Sequence, residues 1–364
     1  MNIDELLKKM IEVNASDLHL KVGSPPSYRI NGEIQPLGTQ PLTPTDTEML
    51  LDSIIPINKK EIFEDIGTAD FAYSLPGIAR FRVNAFHQRG SISMAIRIVN
   101  QKIPTIEELN LPEAVKKFTK YTRGLVLITG MTGSGKSTTL AALINEINNT
   151  RPCHIITIED PIEYLHKDNL AIINQMEIGT DTKSFEIALK HVLRQDPDVI
   201  LIGELRDKET VKIALAAAET GHLVFGTLHT PDAKQTLNRI LHFFSAEEEG
   251  LILLQLSLNL RGVISQRLLQ RKDGMGRIPA VEILINTPIV SKMISERKIL
   301  EINQAIQNRE EGMQTFNQAL VDLYKKNLVT LEEAEKNSDD PPALRRMIEG
   351  GYSSADRGGI IASF

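Results

Sequence analysis

Hydrophobic positions follow one rhythm before residue 100 and another after it. The first part opens with Leu6, Leu7, Met10 and Ile11, which fall on one side of a short helix. Leu18, Leu20 and Val22 then alternate with His19 and Lys21, as in a half-buried strand. Tyr28, Ile30 and Ile34 flank Asn31-Gly32, a pair suited to a type I′ hairpin because both of its central residues need positive φ. A meander is predicted next: Asp70 to Leu75, a Pro76-Gly77 turn, Ile78 to His87, an Arg89-Gly90 turn, and Ser91 to Val99. Period two places Phe81, Val83 and Ala85 on one face and Arg80, Arg82 and Asn84 on the other. In the following strand Met94, Ile96 and Ile98 point inward and Arg97 points away.

Asn100 to Pro104 is polar and ends in proline, which marks a linker. Thr105-Ile106-Glu107-Glu108 has capping-box spacing, in which each side chain satisfies the other's backbone donor, so a new domain starts here. From Gly124 onward, apolar runs alternate with amphipathic helices, the signature of a largely parallel sheet with helices on its faces. The strands read are Leu125 to Thr129, His154 to Ile158, Val199 to Ile202 and Leu223 to Leu228. Ser184 to Arg194 is a helix with Phe185, Ala188, Leu189, Val192 and Leu193 on one stripe. The expected organisation is an N-terminal α/β domain over 1–100, a linker over 101–112, a larger α/β domain over 113–349, and a glycine- and serine-rich mobile tail over 350–364.

A chain of 364 residues has room for two domains of ordinary size. Its 41 lysines and arginines against 47 aspartates and glutamates leave a net charge of −6, without the basic excess of a general nucleic-acid binder. Tryptophan is absent and aromatics are 5% of residues, which also disfavours a base-stacking surface, so no nucleic-acid partner is expected. The single Cys153 excludes an internal disulfide and a CxxC metal site and fits a reducing compartment. Met1 to Met10 is charged and lacks a signal-peptide core, and the greasy run Leu251 to Leu260 is interrupted by Gln255, Ser257 and Asn259. That run is too short to span a bilayer, so the expected location is cytoplasmic and any membrane contact peripheral.

The chemistry concentrates after Thr129. Gly130-Met131-Thr132-Gly133-Ser134-Gly135-Lys136-Ser137, followed by Thr138, fits the P-loop pattern between a buried strand and a helix. The glycines Gly130, Gly133 and Gly135 let backbone N–H groups turn toward phosphates. Lys136 neutralises the β and γ oxygens, Ser137 can ligate Mg2+, and the helix N-terminus adds its positive dipole end. Thr132, Ser134 and Thr138 complete the expected ATP-binding loop. Glu204 ends the buried strand Val199 to Ile202 at the carboxyl edge where open α/β sheets bind ligands, and is read as the water-polarising base. Gly203 stands where an aspartate often precedes that glutamate, so a carboxylate near Mg2+ must come from elsewhere. Glu159, Asp160 and Glu163 are the candidates, with loop solvation and helix capping as the plainer reading.

His222 and His229 bracket one apolar strand and lie ~23 Å apart if it is extended, so they cannot share one ligand atom. A histidine at a strand end is often structural. His229, at the P-loop end, is the better candidate to sense the γ-phosphate. Arg80, Arg82 and Arg97 have the planar, permanent charge that suits a transition-state phosphate, although from spacing alone a solvated sheet face is the favoured reading.

Taken together, these words resemble the PilT/PilU family of type IV pilus retraction ATPases within the secretion ATPase superfamily. The resemblance is carried by Ala15 to Leu20, Arg80 to Asn84, Gly130 to Thr138, Ile158 to Glu163, Gly203 to Asp207, and Glu219 to His222 through His229. It implies a PAS-like N-terminal domain, a RecA-like ATPase domain, and a homohexamer that binds ATP and Mg2+ between the two. Glu163 would be an acidic-box carboxylate, His222 and His229 a histidine box, and Arg80, Arg82 and Arg97 interdomain arginines. Implied partners are an inner-membrane pilus platform protein and a paralogous retraction ATPase, with the ring peripheral at the inner face of the cytoplasmic membrane. The chain departs from the retraction pattern at Pro288 to Ile294, which lacks the Ala-Ile-Arg-Asn-Leu-Ile-Arg-Glu word, and its end, Gly312 to Phe316 and Asn337 to Asp339, is similar to the PilU side of the family. The function expected is a motor ATPase for pilus retraction. Its rivals are a PilU-like accessory ATPase, a RecA-like nucleic-acid translocase and, more distantly, a small-molecule kinase.

Overall fold

The computed structural model describes residues 2–99 and 102–350, so the expected tail beyond 350 and the first two residues of the Asn100 to Pro104 linker lie outside the described residues. The chain divides into two compact α/β units: residues up to Gln101 together with Glu163–Leu165, and the remainder.

The first unit runs α1 (Ile3–Glu12), β1 (Asp17–Lys21), β2 (Ser27–Ile30), β3 (Glu33–Pro36), α2 (Pro44–Asp52), α3 (Ile57–Ile66), β4 (Thr68–Leu75), β5 (Ala79–Gln88) and β6 (Ser91–Ile98). The strands form one sheet in the order β3-β2-β1-β6-β5-β4, antiparallel at every pairing. The Asn31-Gly32 hairpin has φ of 52° and 90° at its two central residues, the positive values a type I′ turn requires. In β5 the expected alternation holds: Phe81, Val83 and Ala85 are buried while Arg80, Arg82 and Asn84 are half-exposed. Met94 and Ile96 are buried from β6, and Ile98 is half-buried against the same core. The face opposite the arginines packs on Leu7 and Met10 of α1 and on Leu50 and Leu51 of α2.

The second unit begins with turns. Thr105 and Glu108 exchange the two capping hydrogen bonds, at 2.9 and 3.1 Å, but no α-helix follows, because Asn110 adopts φ of 55° and Pro112 comes two residues later. Ile106 and Leu111, from the stretch read as linker, are buried in this unit's core. A 3-10 segment, Glu113–Lys120, leads to β7 (Gly124–Thr129), α4 (Lys136–Thr150), β8 (His154–Glu159), β9 (Ile172–Glu177), α5 (Phe185–Val192), β10 (Val199–Ile202), α6 (Lys208–Glu219), β11 (Leu223–Leu228), α7 (Ala233–Leu241), α8 (Ala246–Asn259), β12 (Leu260–Gln270) and β13 (Arg277–Ile285). Five helices complete it: α9 (Pro288–Ser295), α10 (Ile302–Gln307), α11 (Phe316–Lys325), α12 (Leu331–Lys336) and α13 (Pro341–Ile348). No helix among the described residues is long and apolar enough to cross a membrane.

Seven strands form the sheet, in the order β13-β12-β7-β11-β10-β8-β9, parallel except for the β12–β13 edge pair. The central strands β7, β10 and β11 are buried at every position, as expected where helices cover both faces. Ser184 caps α5 by accepting from the Ile187 N–H at 3.3 Å, and Phe185, Ala188, Leu189 and Val192 form its buried stripe. The outer half of the β12–β13 pair carries a second core, in which Leu269 and Ile278 meet Phe316, Leu320 and Leu344 from the C-terminal helices. Arg267 ties that layer down: its guanidinium lies 3.9 Å from the Phe316 ring centroid and pairs with both oxygens of Asp339 at 2.9 Å.

Strand β12 joins β7 through a register shift between Leu260 and Gly262. A Cβ at Gly262 would lie 2.3 Å from the Leu284 carbonyl oxygen and 2.5 Å from the Phe118 ring. Glycine is therefore required there by close approach of backbone and ring. Gly262→Ala is expected to lower stability by about 1–3 kcal/mol through overpacking, measured as a reduced midpoint in thermal or denaturant unfolding. An unchanged midpoint would contradict the packing described for β12.

Candidate functional site

The loop between β7 and α4 is shaped by three glycines. Gly130, Gly133 and Gly135 have φ of 143°, 79° and 93°, conformations that side-chain-bearing residues rarely adopt. At Gly130 a Cβ would also meet the Ser134 hydroxyl at 2.5 Å and the Gln266 carbonyl oxygen at 2.6 Å. Gly135 is the N-cap of α4 and offers no side chain to occupy the helix's first N–H groups. Lys136 Nζ donates to the carbonyl oxygens of Gly130 at 2.7 Å and Met131 at 3.2 Å, which holds its ammonium against the loop. Thr132 and Gly133 are exposed, Ser137 and Thr138 are half-buried in the first helical turn, and the buried Ser134 hydroxyl has no protein hydrogen-bond partner. An orphaned hydroxyl, a helix N-terminus without a side-chain cap and a fixed ammonium are the chemistry of a phosphate cradle. The donor set fits ATP, and the Ser137 hydroxyl in the first turn is suited to a magnesium ion.

Beside this loop, in the strand order, β11 and then β10 present their carboxyl ends. Gly203 follows β10 and is wedged between its neighbours: its N–H donates to the Ile158 carbonyl oxygen at 2.8 Å, and its own carbonyl accepts from the Thr227 hydroxyl. A Cβ there would lie 3.1 Å from the Ile158 oxygen and 3.3 Å from Glu159 Cα, so a side chain at this position fits only if its neighbours give by a few tenths of an ångström. The next residue, Glu204, turns into a charged cluster. Its Oε2 accepts from Arg206 Nε at 2.6 Å, and its Oε1 lies 3.4 Å from His229 Nε2. Arg206 reaches on to Asp160, Nη1 to Oδ2 at 3.5 Å, with its guanidinium 5.9 Å from the Phe185 ring centroid. The hydrogen bond to Glu204 raises the Arg206 pKa above its ordinary value.

Glu159 is engaged inward, accepting from the Thr157 hydroxyl at 2.7 Å and the Gln175 amide at 3.1 Å. Glu177, buried at the end of β9, accepts from the Ile162 N–H and the Thr180 hydroxyl, both at 3.2 Å, and so fixes the loop that carries Asp160. The second unit thus brings together the P-loop strand, Glu204, His229, Asp160 and Arg206. Arg206, Glu177 and the P-loop neighbour Gln266 stood outside the candidate residues, since no spacing rule connects them to Lys136; only the strand order does.

His222 lies at the other end of β11 from His229, where Nδ1 is 3.0 Å from the Ala217 carbonyl oxygen and 3.2 Å from the Thr220 hydroxyl. In the first unit, Arg97 Nε donates to Asp17 Oδ1 at 2.7 Å and Arg29 approaches Oδ2 at 3.5 Å. Burial raises the Asp17 carboxyl, but hydrogen bonds from Ser16 and Arg97 and the Arg97 charge outweigh it and hold the pKa below the ordinary value. Arg80 Nη1 donates weakly to the Ser74 hydroxyl at 3.4 Å. Arg82 Nη2 lies 4.0 Å from Glu163 Oε1, a residue that groups with this unit.

Known proteins share this arrangement along nearly the whole chain. The family described as Type II/IV secretion system protein matches residues 1–336. The chain is 45% identical over 358 residues to the type IV pilus ATPase PilU of Pseudomonas aeruginosa, covering 98% of this chain and 94% of that protein. It is also 45% identical over 342 residues to the type IV pilus retraction ATPase PilT of the same organism, covering 94% and 99%. Among solved structures, the pilus retraction motor PilT with bound ADP superposes with a TM-score of 0.88 at 48% identity, over 95% of this chain and 100% of that one. The Legionella pneumophila ATPase DotB follows with a TM-score of 0.79 at 28% identity, covering 96% of each. The chain belongs to the Type II/IV secretion system protein family, as an ATP hydrolase of the P-loop class.

Proposed function

We propose that this protein is a motor ATPase of type IV pilus retraction, acting as a homohexamer on a pilus platform protein at the inner face of the cytoplasmic membrane. The observation that carries the reading is the full-length likeness, at equal identity, to a pilus retraction ATPase and its paralogue. The hexamer, the platform and the membrane site rest on family resemblance.

The chemistry follows from the second unit's geometry. The P-loop N–H groups and Lys136 hold the phosphates, and the Ser137 hydroxyl would hold Mg2+, which supplies charge neutralisation at the β and γ oxygens. Glu204 orients and polarises the attacking water, and its two neighbours, Arg206 through a hydrogen bond and His229 at 3.4 Å, keep the carboxylate aimed at the carboxyl edge of the sheet. His229, in contact with Glu204, reports the state of the γ-phosphate. Asp160, paired with Arg206, is the second carboxylate of the site, with Glu159 and Glu163 as outer members. Arg80, Arg82 and Arg97 belong to the first unit, and their lending positive charge to the transition state rests on family resemblance alone. His222 holds the turn between α6 and β11 rather than touching substrate.

A second reading, an accessory ATPase that strengthens another retraction motor, is favoured by two observations. The match to PilU extends over 358 residues and that to PilT over 342, and Pro288 to Ile294 lacks the retraction word. Expressing this chain alone in a strain that lacks retraction ATPases separates the two. Restored twitching supports an independent motor, and restoration only alongside a paralogue supports the accessory.

Glu204→Gln is expected to cut ATP turnover about 100-fold or more while ATP affinity stays unchanged, read by phosphate release and equilibrium binding. Normal phosphate release would remove Glu204 from the role of base. Arg82→Ala should lower turnover with affinity largely kept, and unchanged kinetics would return that arginine to the sheet surface.

A further inference from the structure

The segment that carries His229 is anchored from below by buried polar groups, and one of them comes from the edge of the sheet. Glu282 of β13 is 5% exposed, yet its Oε1 accepts the N–H of Ala233, the first residue of α7, at 2.8 Å. Burial pushes this carboxyl up to about 7, with Asp232 and Asp339 adding to the shift and the Ala233 N–H and Arg267 opposing it. Its cross-strand partner is Ser265, whose hydroxyl accepts from that of Thr129, the residue before Gly130, at 2.9 Å. From α7, the Thr236 hydroxyl donates to the Asp232 carbonyl oxygen at 2.7 Å and lies 2.7 Å from the Thr230 hydroxyl and 3.5 Å from that of Thr129. Thr129, Thr236 and Ser265 are fully buried. The stretch from Thr230 to Ala233 is held by bonds from Thr230 to Thr236, from Asp232 to the Gln235 and Thr236 N–H groups, and from Ala233 to Glu282. The Glu282 bond joins this stretch directly to β13, beside the longer Thr236 contact with Thr129 of β7, and so helps set where it sits on the sheet.

We propose that Glu282 is a positioning residue for hydrolysis. By holding the first turn of α7, it sets the reach of His229 toward Glu204. The proposal rests on the reading that Glu204 and His229 work together at the γ-phosphate. A buried N–H left without its acceptor must find another, which displaces the start of α7 and with it the Thr230 to Asp232 stretch that leads back to His229. A plain helix cap would affect folding alone, whereas a positioning group alters turnover at sites that remain folded and nucleotide-bound.

The test is steady-state ATPase kinetics of the full-length assembled protein and its variants Glu282→Ala, Glu282→Gln, His229→Ala, and Glu282→Ala combined with His229→Ala. Glu282→Ala is expected to lower kcat about 10- to 100-fold, the effect of a small misplacement, with KM within about twofold. Glu282→Gln keeps the acceptor oxygen and should recover most of the loss. In the His229→Ala background, Glu282→Ala should cost less than about threefold, because groups acting through one another are non-additive. Should Glu282→Ala fail to assemble, Glu282→Asp, which draws the carboxyl back by one methylene, gives the same reading. A wild-type kcat in folded Glu282→Ala, or in Glu282→Asp where it replaces that variant, overturns the proposal. So does a loss that persists undiminished without His229, and in that case the site reading stands. Wild-type turnover of His229→Ala removes that histidine from the site and the proposal with it.

Discussion

The arrangement depends on a loop whose backbone N–H groups are made to converge by glycine conformations that no other residue adopts cheaply. Gly130, Gly133 and Gly135 all have positive φ, and the space beside Gly130 is filled by the Ser134 hydroxyl and the Gln266 carbonyl. A side chain at Gly130 would collide with both, while at Gly133 and Gly135 it is the positive φ that would strain one. Because α4 has no side-chain cap at its N-terminus, the loop and the positive end of the helix dipole face the same place, as an anion site requires.

What surrounds the loop is set by the order of strands. Parallel pairing of β7 with β11 and of β11 with β10 carries their carboxyl ends to one edge, so Glu204 and His229 meet although 25 residues of chain separate them. On the other side of β7, strand β12 supplies Ser265 and Gln266, whose side chains bond Thr129 below the loop and Thr139 in α4 at 2.9 and 2.8 Å. The same strand carries Arg267, which clamps Asp339 and Phe316. Three successive residues of β12 thus connect the phosphate loop to the C-terminal helical layer. At Gly203 the strand tip is close to Ile158 and Glu159, and Asp160 approaches the Glu204 cluster through Arg206.

Much of this was legible in the sequence, and the losses follow a pattern. Strands buried on both faces read as unbroken apolar runs, so Val199–Ile202 and Leu223–Leu228 were found to the residue. The strands not read, β9, β12 and β13, lie at or next to the sheet edges. Strand β9 carries Asn174 and Gln175 at its centre, β12 continues the apolar run of α8 without a break, and β13 contains Pro279, which argues against a strand except at an edge. The P-loop is contiguous, so its residues were legible together. Arg206, Glu177 and Glu282 act across strands and helices, and their partners become visible only when the sheet order is known.

The central claim is that phosphates are gripped between Thr129 and Ser137, and nucleotide titration of the purified, assembled protein tests it most directly. Saturable binding of ADP and ATP by the wild-type protein, abolished or greatly weakened by Lys136→Ala while folding is retained, is the predicted result. Absence of binding at millimolar nucleotide, or equal binding by the lysine variant, would contradict it.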